Sequence, residues 1–162
     1  PGGNIIIFSG LLKFTESPEE LAAVLSHEIG HVEKRHLIYR VMKELGVSVL
    51  ASIISNNDKS VVRQLIQMLL STAFDRDQET EADNFALELL QKAGIKPGVM
   101  AAFFMRLNEK KFSYDEKLEL LMTHPHDKKR IQNALDFPLK KSFTERSFVN
   151  SDWQKAKKEI SE

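Results

Sequence analysis

The stretch LSHEIGHVEKRH, from Leu25 to His36, concentrates three histidines and two glutamates in twelve positions. His27 and His31 are four residues apart. On a helix they lie on one face about a turn apart, near enough for two imidazole nitrogens to meet one zinc ion. Glu28 follows His27, about 100° further round a helix, where its carboxylate can reach a metal-bound water without becoming a ligand. That is the position of a general base. The alternative is a solvated helix face that happens to carry His and Glu. His36 comes nine residues after His27, about 180° round an uninterrupted helix, and is expected to point away as an exposed histidine. Glu33 and Lys34 read as solvated charges.

A catalytic zinc takes three protein ligands and keeps a fourth position for water, so two histidines are not enough. The chain has no cysteine, which leaves His, Asp and Glu as donors. RDQETEADNFALELL sets Glu79 and Asp83 four apart on one predicted helix face. A pair at that spacing can divide the work, one carboxylate ligating the metal and the other accepting the N–H of a ligating imidazole. Glu79 is assigned as the ligand and Asp83 as the acceptor. Glu81, two residues from each, faces elsewhere. Without the upstream histidines, the three acids would simply complement a helix N-terminus.

THPH places His124 before a proline on a loop, aimed by a rigid backbone. In the open metal position it would displace water; standing back, it could stabilise an oxyanion; otherwise it caps the DKKRI helix. His126 is the weaker of the two. Arg130 could pair with an acid near the site, bind a substrate carbonyl, or lie on a helix surface. Tyr39 and Tyr114 read as packing residues.

The elements that must position these side chains are mostly helical. NIIIF, bounded by glycines, reads as a strand, and LLKFT could form a short second one. Ser17, Pro18 and Glu20 give an N-cap, a first-turn proline and a capping-box acid, and helical periodicity then continues through Leu45, predicting one long helix that stops near Gly46. Further helices are expected over Val61 to Phe74, over Arg76 to Ala93 with Gly94 as its stop, from Pro97 through VMAAFFMRL, at LELLM, through DKKRIQNALDF, and from Ser151 in a tail that is either amphipathic or frayed.

The 162 residues suit one domain, with 23 basic and 23 acidic side chains in balance. No charge run gathers nucleic acid, which excludes that partner class. GVSVLASIIS and VVRQLIQMLLSTAF are each too short for the roughly 20 apolar residues of a spanning helix, although either could rest on a membrane or a membrane protein. Opening on Pro1, the chain reads as N-terminally incomplete.

HEIGH followed by DRDQETEAD, with PGGNIIIFSGLL upstream and MTHPHDKKRI downstream, resembles the zinc metalloendopeptidases of the CAAX prenyl protease and HtpX type. The likeness spans Pro1 to about Ile131, four motifs in order. It implies a gluzincin fold, mainly α with a small β element, and one Zn2+ per chain held by His27, His31 and Glu79. Glu28 would be the catalytic acid/base and Asp83 the support of a ligand histidine. It also implies a strand at GNIIIFSG beside the site, able to pair with an extended substrate.

The resulting expectation is a single zinc metallopeptidase domain over residues 1–162, with 140–162 as a peripheral tail. It would cleave protein or peptide substrates in extracytoplasmic quality control, in the bacterial periplasm or against a membrane. Nothing in the sequence fixes an oligomeric state. The competing reading is a non-cleaving zinc-binding or chaperone module whose metal site His124 closes; the intact Glu28 argues against it, because a structural zinc has no use for a carboxylate that does not ligate.

Overall fold

The computed structural model describes residues 3–46, 74–109, 124, 128–146, 148 and 150–161. The helix expected over Val61 to Phe74, except Phe74 itself, lies outside these residues, as do LELLM, Tyr114 and His126. Seven helices occur among the described residues: α1 (Ser9–Phe14), α2 (Pro18–Glu33), α3 (His36–Leu45), α4 (Arg76–Ala93), α5 (Gly98–Glu109), α6 (Lys128–Asp136) and α7 (Asn150–Ser161).

No strand is formed among the described residues. The run expected as a strand, Asn4 to Phe8, has no ladder partner there, and Ile6 is 76% exposed. LLKFT is helical up to Phe14 rather than extended. Its run from Leu11 to Phe14 has no β-branched residue, and a helical turn sends both Leu11 and Phe14 into the core.

Helix α2 begins as its sequence dictates. Ser17 Oγ accepts from the Glu20 amide at 3.2 Å with Pro18 at the first helical position. The Glu20 carboxylate accepts from the Glu16 amide at 2.7 Å, one residue outside the expected capping box, and is also clamped by Arg106 of α5. The expected single helix through Leu45 is broken. Arg35 takes a left-handed conformation (φ 55°, ψ 30°), and α3 starts afresh at His36. Helix α4 runs as read: Asp75 Oδ1 accepts from the Gln78 amide at 2.9 Å, and Gly94, left-handed at φ 80°, ends the helix. A side chain at Gly94 would also meet the carbonyl oxygen of Thr144 at 2.8 Å.

Helices α2, α4 and α5 wrap one apolar core, with Val24, Leu87, Leu90, Phe103 and Leu107 at its centre and α1 and α6 closing it through Phe14 and Ala134. The tail helix α7 lies on α1, where Lys157 Nζ donates to the carbonyls of Lys13 and Thr15 at 3.2 and 2.8 Å. No described helix is long and apolar enough to cross a membrane.

Candidate metal centre

Helices α2 and α4 meet at Gly30 and Ala82, where a β-carbon on Gly30 would lie 2.9 Å from the Ala82 carbonyl oxygen. This close approach faces His27 and His31 on α2 toward Glu79 and Asp83 on α4. His124, from the segment before α6, is buried against His27, His31 and Glu79. Among the described residues, His27, His31, Glu79 and His124 form one buried group, each offering a donor atom within 4.8 Å of the others.

The individual distances test whether a metal fits. His27 Nε2 is 3.0 Å from His31 Nε2, 3.5 Å from Glu79 Oε2 and 3.2 Å from His124 Nδ1. Glu79 Oε1 lies 3.2 Å from His31 Nε2 and 2.8 Å from His124 Nδ1. Tetrahedral zinc with bonds of about 2.0–2.1 Å separates its donors by about 3.3 Å. The spacing and the nitrogen-and-oxygen donor set therefore fit zinc.

Protonation agrees. Burial, against the hydrogen bond to Glu79, pushes the His31 imidazole down to about 3, with the charges of His27 and His124 adding to the effect. Burial opposes ionisation of Glu79 and Asp83, yet hydrogen bonds from His124 and His31 to the first, and from His27 and Arg130 to the second, hold both carboxyls below the usual range. A neutral imidazole beside ionised carboxylates is the state a metal requires of its ligands.

A surrounding layer fixes these donors. His27 Nδ1 lies 2.9 Å from Asp83 Oδ1, which brings Asp83 to one of the two histidines read as ligands in the sequence. Arg130 is buried, not on a surface: its Nε and one terminal nitrogen donate to the two Asp83 oxygens at 2.6 and 2.7 Å, and its Nη1 is 2.6 Å from Glu79 Oε2. Of the alternatives for Arg130, pairing with acids at the site is the one observed. Glu28 Oε1 is buried without a hydrogen bond among the described residues and lies 3.5 Å from His124 Nε2.

The expectation for His36 fails: expected to be exposed and to face away, it is buried, with Nδ1 2.9 Å from His31 Nδ1. Glu81 stands outside the donor group and meets His36 Nε2 at 3.0 Å. The 180° separation assumed a continuous helix, and the left-handed turn at Arg35 resets the phase. No glycine or proline marks that turn in the sequence. Phe74 was also missed: its ring lies 4.0 Å from that of His31 and 5.0 Å from that of His124, with the Arg40 guanidinium 4.5 Å from the Phe74 ring centre. Tyr39 is exposed, not packed.

An active-site helix carrying two imidazoles and an intervening carboxylate, completed by a glutamate from a second helix, defines the gluzincin class of zinc metallopeptidase. Residues 1–137 match peptidase family M48, and the chain belongs to that family. It is 33% identical over 147 residues to the beta-barrel assembly-enhancing protease of Yersinia pestis, covering 82% of this chain and 30% of that protein. To the mitochondrial metalloendopeptidase OMA1 of Arabidopsis thaliana it is 34% identical over 131 residues, covering 80% and 27%. To the metalloprotease LoiP of Escherichia coli (strain K12) it is 28% identical over 141 residues, covering 83% and 55%. The chain thus spans under a third of the length of the first two relatives.

Proposed function

We propose that this chain is the catalytic domain of a zinc metalloendopeptidase, one functional unit with α7 as its peripheral tail. The observation that carries the reading is the convergence of buried His27, His31 and Glu79 near a buried Glu28 carboxylate oxygen that has no hydrogen bond among the described residues. His27, His31 and Glu79 would hold the ion, and His124 stands within reach of the fourth position, where it would compete with water. Zinc bound there would polarise the scissile carbonyl and lower the pKa of a bound water. Glu28 would be the general base and acid, its Oε1 accepting a proton from the attacking water and returning it to the leaving amine, so no covalent enzyme intermediate would be needed. Asp83 keeps the His27 proton on Nδ1 and its Nε2 free to ligate. Arg130 neutralises Glu79 and Asp83 and holds both on α4.

Substrates are protein or peptide, and the exposed run of Ile6 and Ile7, which joins no strand among the described residues, is a segment that an extended substrate could pair with. The names of the relatives, which speak of β-barrel assembly and of the mitochondrion, support work outside the bacterial cytoplasm, in the periplasm or at a membrane. A purely structural zinc is not favoured, because it would leave Glu28 without a role.

The test is zinc content together with hydrolysis of casein or a quenched peptide. The wild type should hold about one zinc per chain and cleave, and Glu28→Gln should keep the metal and lose cleavage. A wild type that binds no zinc after reconstitution would remove the reading.

A further inference from the structure

The two ligand imidazoles of α2 are oriented differently. His27 turns its Nδ1 directly to a carboxylate, Asp83 Oδ1, at 2.9 Å. His31 turns its Nδ1 to another imidazole, His36 Nδ1, at 2.9 Å, and that ring reaches Glu81 Oε2 through its Nε2 at 3.0 Å. His36 is almost wholly buried, whereas the Glu81 side chain is 60% exposed. The chain of contacts thus runs from the donor cluster to the surface.

Chemistry fixes the protons along it. His31 Nε2 faces His27 Nε2 and Glu79 Oε1 at 3.0 and 3.2 Å and must be bare to ligate. Its proton is therefore on Nδ1, where the only acceptor at hydrogen-bonding distance among the described contacts is His36 Nδ1. Accepting there leaves the His36 proton on Nε2, which donates to the Glu81 carboxylate. One arrangement satisfies all four nitrogens and needs no charged imidazole.

We infer that His36, held by Glu81, is a positioning residue that fixes the tautomer and ring orientation of the zinc ligand His31, as Asp83 does for His27. The turn at Arg35 is what makes this possible, since a straight helix would carry His36 to the opposite face. The inference rests on the zinc-site reading above. The carboxylate or carbonyl partner of a metal-bound histidine is ordinarily worth about 10–100-fold in metal affinity.

The test uses the full chain and three substitutions. His36→Asn sets an oxygen where Nδ1 stood, His36→Gln reaches the Nε2 position instead, and His36→Phe keeps only the packing. Zinc affinity is read by competition with a chelator, thermal stability on the zinc-free protein, and the tautomer by long-range 1H–15N correlation of the histidine rings. His36→Phe and His36→Gln should weaken zinc about 10–100-fold, while His36→Asn recovers most of the loss. The zinc-free wild type should show the His31 proton on Nδ1. Zinc affinity in His36→Phe equal to wild type, or His36→Asn and His36→Phe losing affinity equally and only in step with their melting temperatures, would overturn the inference and leave the zinc site standing. A wild type that binds no zinc would instead remove the site reading, and the ring tautomers of that same protein would still report whether His31 donates to His36.

Discussion

Gly30 of α2 and Ala82 of α4 touch backbone to backbone: a β-carbon on Gly30 would sit 2.9 Å from the Ala82 carbonyl oxygen and 3.0 Å from its Cα. Alanine in place of a helical glycine ordinarily gains about 1 kcal/mol of helix propensity. Here backbone must move to admit it, and overpacking costs about 1–3 kcal/mol, so the clash wins. Gly30→Ala should melt several degrees below wild type and bind zinc more weakly, because the shift separates His27 and His31 from Glu79. Gly98, where a β-carbon would meet nothing within 4 Å, supplies the control: Gly98→Ala should keep both properties. Thermal melts and chelator competition decide, and a Gly30→Ala protein as stable and as tight as wild type would refute the argument.

Arg130 holds two buried carboxylates at once, Asp83 through two nitrogens and Glu79 through the third. Removing one partner of a buried ionic group costs about 3–5 kcal/mol because the remaining charges stay uncompensated. Arg130→Met should therefore destabilise the zinc-free protein by that order. Arg130→Lys should recover little, since a single ammonium cannot reproduce the planar fork. Denaturant titration of the three proteins measures this, and full recovery by lysine would show that charge alone matters at this position.

Local features of the sequence carried much of this architecture. Glu79 and Asp83, like His27 and His31, are four residues apart within one helix, so their convergence needed only the helical period and the caps at Asp75 and Gly94. What sequence could not show depended on one backbone torsion or on packing between distant segments. Arg35 breaks the helix with no local signal and so reverses the placement of His36. The Arg130 clamp spans 47 residues of sequence to reach Asp83, a contact only tertiary packing creates. In LLKF, a short apolar run fits either period, and the core, through Leu11 and Phe14, chose the helix.

Acid should destabilise the zinc-free protein in two stages. The His31 imidazole is pushed from 6.5 down to about 3 by burial first of all. Between those values the unfolded chain takes up a proton that the folded one refuses, so stability falls as pH drops below about 6.5. The Glu79 and Asp83 carboxyls are also held below their ordinary values of 4.5 and 3.8. Their contribution is full above those values and is lost below them, which steepens the decline. Urea denaturation from pH 7 to 4 should show the first stage in wild type and a shallower slope in His31→Gln. Identical slopes would mean that another group takes the proton.

His124 is the donor whose removal separates two roles. Its Nδ1 is 2.8 Å from Glu79 Oε1 and 3.2 Å from His27 Nε2, within the donor cluster, while its Nε2 faces Glu28 Oε1 at 3.5 Å. A catalytic zinc keeps one position open, so a fourth protein donor competes with the water that Glu28 must deprotonate. His124→Ala leaves His27, His31 and Glu79, a complete set of three. It should retain about one zinc per chain and turn over substrate faster than wild type, and adding Glu28→Gln should abolish the gain. Loss of an oxyanion donor would do the opposite, lowering kcat by about 10²–10³ with zinc unchanged. Peptide hydrolysis and metal content measured on the same preparations distinguish a ligand that restrains the site from a donor that serves the reaction.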